Sequence, residues 1–96
     1  MNFLKETIEM LAQHGKSGSD VMWVGDNQTC IDWGTFYELI NFDYDAGYGS
    51  QNINRHLIVC GLDWWLERHE YDGSEWWEYK ELPEIPVSRG NIKIKE

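Results

Sequence analysis

The segment from Leu62 to Leu82 constrains the fold most, because its pattern specifies a β-hairpin. It holds four of the six tryptophans in this 96-residue chain. Two runs that alternate apolar or aromatic residues with charged ones flank Asp72-Gly73. An Asp-Gly pair between such runs is typical of a two-residue type I′ turn. We therefore predict strands over residues 63–71 and 74–82, joined at Asp72-Gly73.

The turn also predicts which side chains share a face of the hairpin, because a slip of one residue would exchange the two faces. A two-residue turn places Tyr71 opposite Ser74, whereas a three-residue loop would place Arg68 opposite Glu78; the first separates apolar from charged side chains better. The mostly apolar face, which we expect to pack on helices, holds Trp64, Leu66, Arg68, Trp77 and Tyr79. The other, which suits partial exposure, holds Trp65, Glu67, His69, Tyr71, Trp76, Glu78 and Lys80. Arg68 and Trp77 are expected to form a cation–π contact.

Two amphipathic helices are predicted from apolar spacing. The first covers residues 2–14, with Asn2 as N-cap and Gly15 as its end. Its apolar stripe consists of Phe3, Leu4, Ile8 and Leu11. The second runs from Trp33 to about Asn41 with Asp32 as N-cap, and its apolar side consists of Phe36, Tyr37, Leu39 and Ile40.

Three further strands complete the predicted fold. Residues 21–24 and 29–31 form a short hairpin around a Gly-Asp-Asn turn, and the apolar run at 56–60 forms a central strand buried on both faces. The fold class is therefore α+β, an antiparallel sheet of about five strands with two helices packed on one face. Residues 1–86 form this one domain, and residues 87–96 form a tail that is either an edge strand or frayed.

The charge balance indicates which partners the chain avoids. Seventeen acidic and eight basic residues give a net charge of −9, which repels duplex DNA and anionic membranes. Eight of those acids lie between Leu62 and Pro86, against two bases. The acidity either serves solubility or attracts a basic protein partner.

The sequence also predicts a compartment. No apolar run has the length of a membrane span, and the N-terminus lacks a signal-peptide pattern. We therefore expect a cytoplasmic protein.

No catalytic or metal-binding motif is found, so we expect a protein that is not an enzyme and has no cofactor. His14, His56 and His69 with Cys30 and Cys60 lack zinc-ligand spacing. The Asp-rich segment from Asp43 to Asn54 fails the EF-hand pattern. The spacing of Cys and His does not decide whether they form a nucleophile pair, because such partners come together only in the folded chain.

The second hairpin face is the predicted interaction surface. Acids would steer a basic partner while aromatics anchor it. The candidate residues are Trp65, Glu67, Glu70, Asp72, Glu75, Trp76 and Glu78. Trp65 and Trp76 would lie about 13 Å apart along the strands, too far to sandwich one ring. Alternatively, a second layer, a loop or a homodimer partner covers these indoles.

Two other functions fit the sequence. In the first, Tyr44, Gly47, Tyr48 and Gly49 form a loop that binds a small ligand such as a nucleotide, by stacking on a tyrosine. In the second, the chain is a structural or assembly protein whose outer hairpin face forms a homo-oligomer.

One resemblance covers residues 20–86. The segments YDAGYGS (44–50), LIV (57–59) and WWLERHEYDGSEWWEY (64–79) resemble short uncharacterised proteins encoded by phages and prophages of Gram-positive bacteria. The resemblance implies a context rather than site residues: a small acidic protein that inhibits or modulates a host protein, with a counter-defence inhibitor of the anti-CRISPR type as one form.

Overall fold

The computed structural model describes residues 1–47 and 50–96 and confirms the α+β class. The helices are α1 (Phe3–Gln13) and α2 (Trp33–Leu39), with a short 3₁₀ turn at Gly18–Asp20. The strands are β1 (Trp23–Gly25), β2 (Cys30–Ile31), β3 (Ile58–Cys60), β4 (Trp64–Tyr71) and β5 (Ser74–Glu81). They form one antiparallel sheet in the order β2-β1-β3-β4-β5.

The hairpin of β4 and β5 has the predicted register. Tyr71 pairs with Ser74 and the pairing continues to Trp64 opposite Glu81. Asp72 and Gly73 both have positive φ, at 52° and 86°. Two consecutive left-handed residues are what a type I′ turn requires, and its twist matches that of the strands it joins. The aromatics of the two arms therefore segregate to the two faces as predicted.

Both predicted helix N-caps are present. The Asn2 side chain accepts a hydrogen bond from the Lys5 amide at 2.9 Å, and Asp32 accepts one from the Thr35 amide at 2.7 Å. Each bond satisfies an amide that the first helical turn leaves free. Gly15 follows α1 with φ 69°, the left-handed conformation that commonly ends a helix.

The core lies between the helices and one face of the sheet. Val24, Val59 and Leu66 are aligned across β1, β3 and β4, and all three are fully buried. From α1, Phe3 stacks on Trp77 with ring centroids 5.6 Å apart. Phe36 and Ile40, the C-cap of α2, complete the cluster. Both helices therefore cover the same face, as predicted.

Some predicted core positions are wrong. Ile8 is 39% exposed, and Tyr37 and Leu39 of α2 are also exposed. Thr7 takes the buried place on α1: its hydroxyl donates to the Phe3 carbonyl at 2.7 Å and accepts from Trp77 Nε1 at 2.9 Å. A polar residue is tolerated there because its hydroxyl is fully used.

Strand β3 is buried on only one face, in contrast to the prediction. Val59 is buried, whereas Ile58 and Cys60 are half-buried. The continuous apolar run reflects the position of β3 at the centre of the sheet, with neighbouring side chains shielding its second face in part. The tail, residues 87–96, is exposed and forms no strand in this chain.

The turn geometry predicts opposite effects for two glycine substitutions. Gly73→Ala should lower the free energy of unfolding by about 1–2 kcal/mol, because a Cβ disfavours positive φ. Gly34→Ala, in the first turn of α2 with only ordinary contacts around its Cβ position, should raise it by up to ~1 kcal/mol. Urea denaturation of both variants checks this; a harmless Gly73→Ala would contradict the type I′ turn.

Candidate interaction surface

The sheet face opposite the helices is an open surface of aromatic and charged side chains. We call it the outer face and define it by Trp65, Glu67, His69, Trp76, Glu78 and Lys80 of β4 and β5. Neighbouring strands extend it through Trp23, Ile58 and Cys60. Trp76 is 37% exposed and Trp65 is half-buried. Neither α1 nor α2 covers these side chains.

The outer face is held together by a continuous set of polar contacts. His69 lies between two carboxylates, with Nε2 2.7 Å from Glu67 Oε2 and Nδ1 3.4 Å from Glu78 Oε2. Trp65 Nε1 donates to Glu67 at 2.7 Å, and Trp76 Nε1 donates to Glu78 at 3.1 Å. Each indole is therefore fixed by a carboxylate two residues further along its own strand.

The two central carboxylates favour the charged form. Burial raises the pKa of Glu67, but the hydrogen bonds from Trp65 and His69 outweigh it, and the net pKa is lowered. The pKa of Glu78 is lowered chiefly by the indole of Trp76, with a smaller contribution from Lys80, whose Nζ lies 3.3 Å away. The outer face therefore keeps both negative charges at neutral pH.

Glu70 and Asp72, two of the predicted binding residues, lie at the tip of the hairpin rather than on the outer face. Glu70 shares the helix side with Arg68 and accepts a hydrogen bond from the Gly73 amide at 3.0 Å. Asp72 occupies the turn itself. Both residues are exposed, but Glu70 also stabilises the turn.

Glu75, which the sequence predicted as a residue that steers a partner, does not lie on the outer face. Its carboxylate is completely buried on the helix side and lies 2.9 Å from Arg68 Nη2. It also accepts hydrogen bonds from the amides of Asn52 and Ile53 at 2.6 and 3.1 Å. Strand alternation turns Glu75 inward, where these three donors compensate the loss of water. The predicted residues that share the outer face are Trp65, Glu67, Trp76 and Glu78.

Arg68 is the centre of a buried ionic cluster that sequence reasoning missed. Its side chain is 0% exposed, with Nη1 3.0 Å from Glu6 and Nη2 2.9 Å from Glu75. The predicted cation–π contact is confirmed, since the guanidinium carbon lies 4.8 Å from the Trp77 ring centroid. Burial disfavours the charged guanidinium, but hydrogen bonds to Tyr44 and Glu75 outweigh it and raise the pKa of Arg68.

Tyr44, a residue of the predicted ligand loop, is partly buried and packs against the core. Its hydroxyl donates to Glu6 and accepts from Arg68 Nη2, and its ring packs edge-on against Phe3. Burial, together with the bond to Glu6, raises the pKa of Tyr44 to about 12. Gly47 is exposed. The other two residues of the predicted ligand loop, Tyr48 and Gly49, lie outside the described residues.

Three further features concern metal ligands, the Cys60 thiol and membrane-spanning helices. Within residues 1–47 and 50–96, no three His, Cys, Asp or Glu side chains form a group that could hold a metal ion. Burial raises the pKa of the Cys60 thiol, which disfavours the reactive thiolate. No helix in the described part of the chain is long and apolar enough to cross a bilayer.

Comparisons with known proteins add no assignment. No family model matches the chain, and no curated protein or solved structure is detectably similar to it. The resemblance to phage-encoded proteins stays a prediction.

The buried cluster predicts a large and specific loss of stability. Arg68→Met leaves the carboxylates of Glu6 and Glu75 without their cation, which should lower the free energy of unfolding by about 3–5 kcal/mol. Glu67→Gln, on the outer face, is the control and should change it by less than about 1 kcal/mol. Adding Glu75→Gln to Arg68→Met should recover part of the loss. Similar small effects in urea denaturation for Arg68→Met and Glu67→Gln would contradict the cluster.

Tyr44 predicts a pH dependence at the alkaline end. Because its folded pKa of about 12 exceeds the ordinary 10.0, its contribution to stability is complete below pH 10 and disappears as the pH rises through 12. Tyrosinate absorbance of the folded protein at about pH 11 should therefore be nearly the same for the wild type and Tyr44→Phe. A clear loss of absorbance in the variant at that pH would show that Tyr44 ionises normally.

Proposed function

We propose that the protein is a binding module whose outer face engages a protein partner with a basic surface. The observation that carries this proposal is the pre-arranged set of indoles and carboxylates around His69. Holding a side chain in one orientation before binding reduces the entropy lost on association. Tryptophan is also among the residues that contribute most to the affinity of protein interfaces.

The spacing of the indoles supports a protein partner over a small ligand. Trp65 pairs with Lys80 and Trp76 pairs with His69, so the two indoles are separated by four positions along the hairpin. At ~3.3 Å per residue they lie about 13 Å apart, which suits two anchors of a broad contact. Glu67 and Glu78 lie between them and would attract a basic surface through long-range steering.

The resemblance to phage-encoded proteins supports a class of partner. Resemblance to phage-encoded proteins supports a host protein as the target and the host cytoplasm as the compartment. A nucleic-acid-handling enzyme has a basic channel that an acidic surface can occupy, so counter-defence inhibition of the anti-CRISPR type is the most specific form of the proposal. Among the described residues, no contact on the outer face favours a small ligand, and none favours a homo-oligomer in which two outer faces meet.

Affinity capture with matched charge reversals tests the proposed surface. Tagged wild-type protein should retain a basic protein from a Gram-positive bacterial lysate, and Glu67→Lys/Glu78→Lys should lose it. With the purified partner, that variant should associate about tenfold more slowly at low ionic strength and show a weaker salt dependence.

The control variant, Glu9→Lys/Glu38→Lys, makes the same change in net charge on exposed positions of the two helices. It should retain the partner, because steering depends on where the charges lie. Equal retention by both variants, or equal loss, would contradict the assignment of the outer face.

A further inference from the structure

Strand β5 presents an open edge. In the pairing of β5 with β4, the hydrogen-bonded pairs are formed by the residues whose side chains lie on the outer face. The bond from the Leu82 amide to the Asp63 carbonyl follows the same pattern. The backbone groups of Trp77, Tyr79 and Glu81 therefore point away from the sheet. At the start of this edge, the Glu75 amide donates to the Ala46 carbonyl at 2.9 Å; no further backbone bond forms there among the described residues.

A groove runs beside this edge. It has a volume of about 240 Å³ and lies between α1 and β5, with Met10, Gln13, Trp76 and Trp77 among its lining residues. An added strand would place alternate side chains in this groove and the others on the outer face.

The C-terminal tail has the pattern that this edge requires. Ile92 and Ile94 alternate with Lys93 and Lys95, and both isoleucines are at least 80% exposed. Residues 87–96 carry three basic residues and one acidic one, whereas β5 carries one lysine and three glutamates, of which Glu75 is buried against Arg68 and Glu78 and Glu81 are not buried. Among the described residues, the tail is thus an amphipathic basic segment without a partner strand, and β5 has no neighbour on its outer edge beyond the bond from Glu75 to Ala46.

We propose that the tail of a second copy of this chain adds to the β5 edge as a sixth, antiparallel strand, and that two copies exchange tails. Pairing Ile94 with Trp77 and Ile92 with Tyr79 uses the free backbone groups and directs both isoleucines toward the helix side. Lys93 then lies opposite Glu78, and Lys95 lies over the ring of Trp76. Reciprocal exchange gives a closed dimer with two-fold symmetry.

The position of the bends in the tail favours a second copy over the chain's own tail. Pro83 and Pro86 restrict the linker to extended conformations, and bends occur at Val87 and Gly90. A chain that reverses direction through residues 87–90 would place residue 91 opposite residue 86. Ile92 would then lie opposite Ile85 and Ile94 opposite Pro83, so neither isoleucine of the chain's own tail would reach Tyr79 or Trp77.

Sedimentation equilibrium of the full chain tests the exchange. The wild type should have twice the 11.4 kDa chain mass. A chain ending at Pro86 keeps the edge and lacks the tail, whereas Glu78→Lys keeps the tail and repels Lys93. For each variant, the dissociation constant of the dimer should be at least about tenfold higher than for the wild type. Mixed in equal amounts, these two variants should form a dimer held by one tail.

Two controls separate pairing from folding. Glu38→Lys, on the exposed side of α2, should leave the dimer intact, and Glu78→Lys/Lys93→Glu should restore it. Circular dichroism should show that every variant is folded. A monomeric wild type at millimolar concentration, a dimer that survives removal of the tail, or a mixture that stays monomeric would each overturn the proposal.

Discussion

The two-residue turn at Asp72-Gly73 is the constraint on which the rest of the structure depends. It fixes the register of β4 and β5, and the register decides the face of every side chain in the hairpin. Trp64 and Trp77 enter the core, while Trp65 and Trp76 remain on the outer face. A shift of one residue along either strand would bury the carboxylates and expose the core indoles.

The Arg68 cluster specifies how α1 packs on the hairpin, although burying its charges is itself unfavourable. Burying an arginine is unfavourable unless its hydrogen bonds and its charge are compensated. Here Glu6 of α1, Tyr44 and Glu75 of β5 supply that compensation to Nη1 and Nη2 from three separate parts of the chain, whereas Nε has no hydrogen-bond partner among the described residues. The cluster therefore fixes α1 on the hairpin, on the side of the sheet opposite the outer face.

Local sequence signals predicted the turn, the hairpin faces and both helix N-caps, because each depends on residues close together in the chain. The predicted register already turns Glu75 to the helix side, but local signals do not show what allows its burial, namely Arg68 and two loop amides 22 and 23 residues away. They also favoured Ile8 over Thr7, since periodicity does not show that a hydroxyl has partners from Phe3 and Trp77. The missing information was tertiary contact rather than propensity.

The central claim is that the sheet has one covered face and one open face, with two hairpin indoles on each. Solvent paramagnetic broadening of the indole NH signals in an NMR spectrum tests it directly. The signals of Trp65 and Trp76 should broaden strongly with a soluble probe, while those of Trp64 and Trp77 stay sharp. Protection of all four indoles, or broadening of Trp64 and Trp77 instead, would contradict the account.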